Sequence, residues 1–329
     1  MDELVLHDYS TSTFSERVRL AFGLKGLAWR SVMIPPAMPK PDLLPLTGGY
    51  RRTPVLQIGA DVYCDTQLIL RTIERLHPEP SLYPQGGEGI VLALAWWADK
   101  SIFPPALGVV ADTISEKIPP AFVAERKAFG FPLAREDIGP FVQRYRQQGA
   151  AHLVWLTKML ADGRSFLLHQ PSAADLAAFC PLWLLRHQGG AEAEAKLPLE
   201  PLRGWYDRVE AIGHGRSIEM TAADALDLAQ RSKPQSPAIS RDADPTALKP
   251  GAEVIVTPDD SGRDPVRGAL VAADAEDFVI RSTHSRVGQI NIHFPRAGFD
   301  VAAVERSSAC CMNPSAAADW ICRGSVSAR

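Results

Sequence analysis

The chain predicts three units in series: an α/β domain, an all-α domain, and a small appended β-barrel. Three observations carry this. Apolar strand-like runs alternate with helical stretches as far as Leu76. From Ile90 onward apolar residues recur at helical spacing, and beyond Pro245 the period falls to two. At 329 residues and 46% hydrophobic content, the chain has the length of two or three ordinary domains and can bury ordinary cores.

Residues 3 to 8 and 28 to 34 read as strands on either side of a first helix. Between them Tyr9-Ser10-Thr11-Ser12-Thr13-Phe14-Ser15-Glu16 forms a hydroxyl-rich turn, and Thr13 with Glu16 has the spacing of a capping box. Val18, Leu20, Ala21 and Leu24 supply the apolar face, which puts Arg17, Arg19 and Lys25 on or near the wet side. Ser12 then stands at the mouth of a helix N-terminus, where free amides and the helix dipole favour an anion. The stretch from Pro35 to Leu46 is too rich in proline for a regular helix. Pro54 heads the strand 54 to 58, where a missing N–H is tolerated and a cis peptide fits. After the strand 61 to 64, Asp65 or Thr66 caps a helix through Ile73 and Leu76. Pro78 stops that helix and Gly86-Gly87 releases the chain, which gives a first domain over residues 1–84. Its strand and helix order is thioredoxin-like.

The helical domain is expected over 87–232. A long helix begins near Ile90 and is interrupted at Pro104-Pro105, a second pattern runs from Asp137 to Ala161, and further helices cover 202 to 212 and 222 to 231. Ser172 and Asp175 form a capping box that opens a helix apolar on nearly every face, and this pair is assigned to folding. Residues 233–246 are proline-spaced and polar, as a linker is. Short runs such as Val254-Ile255-Val256 and Phe278-Val279-Ile280 then predict an SH3-like or OB-like barrel over 247–305. Residues 306–329 carry no pattern and are expected to be disordered.

Composition excludes several classes of function. A formal net charge of -3 with no basic stripe argues against a dedicated nucleic-acid or anionic-membrane binder. No apolar run approaches the ~18–20 residues of a membrane helix. The acidic start, entering a strand directly, does not read as a signal peptide, so a cytoplasmic protein is expected. Cys64 and Cys180 lie in apolar segments and read as small buried hydrophobes. Cys310, Cys311 and Cys322 have no matching histidine spacing, so they read as a reduced tail and no metal site is expected.

Ser12 with its spacing to Val18-Arg19, Thr53-Pro54, and Asp65-Thr66 before a helix together resemble the thioredoxin-like half of the cytosolic glutathione S-transferases. The run from Ser12 to Leu20 is most similar to the zeta and omega classes. It aligns without gaps to the omega pattern, which has a cysteine where this chain has Ser12. The resemblance covers about the first 230 residues, and the β unit after them departs from the usual chain.

The resemblance implies glutathione as co-substrate, a hydrophobic electrophile as second substrate, a detoxifying role and a homodimer. It implies that Ser12 donates a hydrogen bond to the glutathione sulfur. A thiol of ordinary pKa near ~8.5 is only a few per cent thiolate at neutral pH, and lowering that pKa by about two units requires ~2.7 kcal/mol. A hydrogen bond to an ion, ~1.5–3 kcal/mol, plus a helix end, ~0.3–2 kcal/mol, is of that size. Thr53, before Pro54, is placed against the cysteinyl backbone. Thr66 suits the γ-glutamyl carboxylate, Asp65 or Gln67 the ammonium, and Arg52 the glycine carboxylate. Tyr9 is the competing donor to the sulfur, since other classes use a tyrosine near the end of the first strand, and Ser10 and Ser15 are further alternatives. Trp96, Trp97, Lys100, Phe103 and Leu107 are the candidates for the electrophile wall.

Serine at position 12 cannot form the mixed disulfide of omega-like chemistry, which favours attack by the bound thiolate on an electrophile. Zeta-like isomerisation and peroxidase activity use the same thiolate and stay open. A reading from another class is a non-catalytic binding protein that recruits a partner through its β unit.

Overall fold

The computed structural model describes residues 3–84, 87–237 and 244–304. The cysteine-bearing tail and the middle of the expected linker therefore lie outside the described residues. The first domain contains β1 (Val5–Asp8), α1 (Thr13–Leu24), β2 (Ala28–Met33), the short α2 (Leu44–Thr47), β3 (Val55–Ile58), β4 (Asp61–Cys64) and α3 (Thr66–Leu76). This is the thioredoxin-like order. The parallel pair β1–β2 is extended by antiparallel β3 and β4.

The helical part comprises α4 (Glu88–Trp97), α5 (Phe103–Ile114), α6 (Pro120–Phe129), α7 (Arg135–Ile138), α8 (Val142–Met159), α9 (Ala173–Leu184), α10 (Gly190–Glu194), α11 (Arg203–Glu210) and α12 (Ala222–Arg231). Pro104 and Pro105 do not break the path of the chain. They occupy the first turn of α5, where no N–H is needed, and a wider π turn over Ala98–Ile102 joins it to α4. α9 is buried along nearly its whole length. Its capping box forms as expected: the Asp175 carboxylate accepts from Ser172 N at 3.1 Å and Ser172 Oγ at 2.7 Å. The same carboxylate also accepts from Leu167 N at 2.8 Å and Trp205 Nε1 at 2.9 Å, so it secures three segments of the chain.

One strand was hidden in the stretch read as all-helical. β5 (Arg216–Glu219) pairs in parallel with β2 and extends the first domain's sheet at that edge. Its four residues are mostly exposed, and an edge strand that short leaves no apolar period to read.

The appended strands are β6 (Glu253–Pro258), β7 (Val266–Ala273), β8 (Asp277–His284), β9 (Gly288–Pro295) and β10 (Phe299–Ala303). They form an antiparallel meander whose last strand returns to pair with its first. This is the small β unit that was expected, but its strands continue the sheet of the first domain. β9 runs parallel to β4, giving one sheet of order β10-β6-β7-β8-β9-β4-β3-β1-β2-β5. At the joint, Asp61 accepts from His293 Nε2 at 2.8 Å, Asn291 Nδ2 at 3.3 Å and Gln235 N at 2.8 Å.

Strand alternation divides the core in two. Leu6, Leu56 and Tyr63 point to one face and pack with α1, α3 and the helical domain. Val5, Val55 and Val62 point to the other, where Leu226 of α12 and Phe278 and Phe294 of the appended strands cover them. Strands buried on both faces tend to read as apolar runs; here the runs are broken by buried polar residues that find partners, as His7 does at Gln57 Oε1, 2.8 Å. Among the described residues no helix is long and apolar enough to cross a membrane.

Candidate active site

α1 is enclosed by α3, α9 and the sheet, and this corrects the expectation of a wet basic face. Arg17, Arg19 and Lys25 are all buried. Arg17 pairs with Asp99 of the π turn and donates to Thr66 Oγ1 at 3.3 Å. Arg19 holds Asp8 at 2.5 Å and Glu16 at 2.8 Å, and Lys25 meets Glu74 at 2.7 Å. Buried cations must be paired, and each of these ties α1 to a neighbouring segment. Burial works against the charge on Arg17, but Asp99 outweighs it and raises the pKa.

The helix cap differs by one residue from the expectation. Ser12, not Thr13, is the N-cap: its Oγ accepts from Ser15 N at 3.2 Å. Glu16 does not return to the cap, because Arg19 and His214, the latter at 2.8 Å, take its carboxylate. Capping uses a lone pair of the Ser12 hydroxyl and leaves its O–H as a donor. Ser12 is 3% exposed and lines a cleft of about 1160 Å³.

Thr53, Pro54, Asp65, Thr66, Arg52 and Tyr9 line the same cleft, so the residues singled out from sequence are brought together. The Thr53-Pro54 peptide is cis. Asp65 is the cap of α3, at φ 77, and its carboxylate accepts from Gln67 N at 2.9 Å. Burial raises the Asp65 pKa, partly opposed by that amide. Thr66 opens α3 and is buried. Tyr9 is half-buried; Ser10 and Ser15 are not part of the cleft lining.

Arg52 is engaged elsewhere. Its Nη2 donates to Asp260 Oδ1 at 2.5 Å and to the Ser261 carbonyl, both in the loop between β6 and β7. Arg51 likewise holds Asp264 at 2.5 Å and Glu125 at 3.3 Å. The cation beside Thr53 is Lys40, which sequence reasoning missed. It is 4% exposed, donates to Thr53 Oγ1 at 2.8 Å and Arg51 O at 2.9 Å, and has only neutral acceptors among the described residues. Burial, with Arg126 nearby, lowers its pKa to about 8. The signal available was a lone lysine inside an apolar, proline-rich connection.

Of the residues expected to wall an electrophile pocket, four line the cleft and one does not. Trp96, Lys100, Phe103 and Leu107 line the cleft, whereas Trp97 turns away to stack with Trp155 and to donate to His152 Nδ1 at 3.2 Å. An aromatic row continues outward from Phe14 beside the Ser12 cap. Phe14 meets Phe103 at 4.8 Å, Phe103 meets Phe131 at 6.4 Å, and Phe131 meets Phe129 at 5.6 Å. Cys64 and Cys180 are buried; burial pushes the first thiol well up and the second to about 12, so neither is a nucleophile here.

The chain is similar to known proteins. A family model described as glutathione S-transferase, N-terminal domain, matches residues 6–81, and one described as glutathione S-transferase, C-terminal domain, matches residues 139–208. The crystal structure of a GST-like protein from Pseudomonas syringae is 35% identical, with a TM-score of 0.76, covering 92% of this chain and 100% of that one. A match of that extent includes strands of the appended β unit. Glutathione S-transferase U4 of Arabidopsis thaliana is 27% identical over 112 residues, which is 33% of this chain and 50% of that protein. A glutathione S-transferase from Rhodospirillum rubrum is 20% identical, covers 64% of this chain and 87% of that one, and has a TM-score of 0.46. The cleft at the start of α1, the two family domains and the relative matched along its whole length lead to one conclusion: the chain belongs to the glutathione S-transferase family.

Proposed function

We propose that the chain is a glutathione transferase in which the Ser12 hydroxyl stabilises the glutathione thiolate for attack on a hydrophobic electrophile. One observation carries this: Ser12 caps α1 through a lone pair, keeps its O–H, and shares a cleft with Thr53-Pro54 and Asp65-Thr66. The thiol proton leaves to solvent, the sulfur bonds to the electrophilic carbon, and the leaving group departs with its electron pair.

The tripeptide is placed by its own charges. Thr53 pairs with the cysteinyl backbone, the start of α3 at Thr66 takes the γ-glutamyl carboxylate, and Asp65 takes the ammonium. Engagement with the ammonium also keeps Asp65 ionised against its burial. The glycine carboxylate goes to Lys40 in place of Arg52, because Arg52 already holds an acid and Lys40 does not. Phe14, Phe103 and Phe131 give the second substrate an aromatic wall.

The enzyme reading is favoured over recruitment by the β unit because that unit is joined to the sheet and sends its β6–β7 loop into the cleft. The reading includes a homodimer and a cytoplasmic location, checked by light scattering and by fractionation. Calorimetry with glutathione, followed by a screen of aryl halides, epoxides, hydroperoxides and cis-enones, tests the activity. Conjugation supports the transferase; turnover of the enone alone, with glutathione regenerated, replaces it with an isomerase.

A further inference from the structure

The loop joining β6 to β7 leaves the appended unit and lies along the cleft between the other two domains. Besides the Ser261 carbonyl on Arg52, contacts at Asp260, Gly262 and Asp264 hold it there. The Asp260 carboxylate bridges Arg52 Nη2 at 2.5 Å and Lys100 Nζ at 2.8 Å. Gly262 N donates to the Phe129 carbonyl at 2.8 Å. Asp264 accepts from Arg51 Nε at 2.5 Å. The middle contact needs glycine, since Gly262 is at φ +56 and a Cβ there would come within 2.3 Å of the Phe129 ring.

Lys100 belongs to the wall expected to receive the second substrate: its Nζ lies 4.8 Å from the Trp96 ring centroid, and Phe103 follows on the same path. Arg52 faces it from the first domain. Two cations on opposite walls of a partly desolvated cleft would form a seat for an anionic group. Asp260 fills that seat. Burial pushes its carboxyl up, but the hydrogen bonds from Lys100 and Arg52 outweigh burial and hold it at about 2, so it stays ionised through the neutral range.

We propose that Asp260 is a specificity-determining residue: by occupying Arg52 and Lys100 it denies their charge to the second substrate and makes the cleft select neutral over anionic electrophiles. This deepens the transferase reading and rests on it. An anionic electrophile must displace the carboxylate or lie beside it. A like charge at ~6 Å in an effective dielectric of ~20 is worth one to two powers of ten in binding.

The test uses a matched pair of aryl chlorides, neutral 1-chloro-2,4-dinitrobenzene and anionic 4-chloro-3,5-dinitrobenzoate. In both, the S–C bond forms, the C–Cl bond breaks, and chloride departs with the electron pair. The readout is the ratio of their kcat/KM values, each divided by its uncatalysed rate with glutathione. The wild type should favour the neutral compound by about tenfold or more, and Asp260→Asn should reduce that ratio by about tenfold. Asp264→Asn, which loosens the same loop at Arg51, should leave the ratio within about twofold. A ratio that Asp260→Asn leaves unchanged, or that Asp264→Asn lowers as much, overturns the proposal. The same ratio is read without chemistry from the binding of 3,5-dinitrobenzamide and 3,5-dinitrobenzoate, by tryptophan fluorescence. A shifted binding ratio without turnover rejects the transferase reading and keeps the role of Asp260. An unshifted one, or no binding of either compound by the wild type, rejects that role.

Discussion

Lys40 Nζ donates to the Thr53 hydroxyl at 2.8 Å, so a buried cation from the proline-rich connection braces the residue before the cis-proline. Neither of its acceptors carries charge. A buried ammonium with only neutral partners is a ready seat for a carboxylate. Replacing Lys40 by Met should weaken glutathione binding by about tenfold, the size of one lost ion contact. The charge is present below a pKa of about 8 and lost above it. Calorimetry with S-methylglutathione, which has no thiol to titrate, should show affinity falling as the pH rises through about 8, and falling less in Lys40→Met. Equal pH dependence in the two proteins would remove Lys40 from the site.

His7 gives a stability prediction of definite sign. It is buried in β1 against Gln57 Oε1 at 2.8 Å, and burial lowers its pKa from 6.5 to about 4. The folded state therefore holds the neutral ring while the unfolded chain accepts a proton below about 6.5. The stabilisation is fully present above that pH and is lost as the pH falls toward 4. It amounts to roughly 3 kcal/mol. Urea denaturation at a series of pH values should show this slope, and a His7→Gln variant should lack that part of it.

Asp175 secures four donors at the start of α9 with one buried carboxylate. Asp175→Ala leaves the Trp205 indole and two backbone amides without an acceptor in the core. The expected loss is about 3–5 kcal/mol, as for breaking other buried charged networks. Asp175→Asn retains some acceptor capacity and should lose less. Guanidinium unfolding with an unchanged m-value checks the ranking.

Much of the site was legible in the sequence because it is built from caps and turns, whose residue types are set by local backbone chemistry. Ser12, Pro54, Asp65 and Thr66 are of this kind, and all line one cleft. What was not legible depends on distant partners. Arg17 and Lys25 looked wet because their partners, Asp99 and Glu74, lie outside the local sequence window, and Arg19 because α9 and the sheet bury the helix face that carries it. Arg52 has the right residue type, but a loop some 200 positions onward takes its charge. Lys40 was hidden because no regular period surrounds it. The appended strands were readable as strands, whereas the pairing of β9 with β4 rests on Asp61, Asn291 and His293, residues that read as ordinary polar positions.

Stabilisation of the thiolate by Ser12 is tested most directly by the pKa of bound glutathione. It is read from thiolate ultraviolet absorbance against pH, in wild type, Ser12→Ala and Tyr9→Phe. The bound thiol should titrate about two units below its ordinary ~8.5 in wild type, one to two units higher in Ser12→Ala, and little changed in Tyr9→Phe. Saturating glutathione keeps the comparison independent of affinity. A bound thiol that titrates identically in wild type and Ser12→Ala, or that loses its low pKa only in Tyr9→Phe, would remove Ser12 from this role.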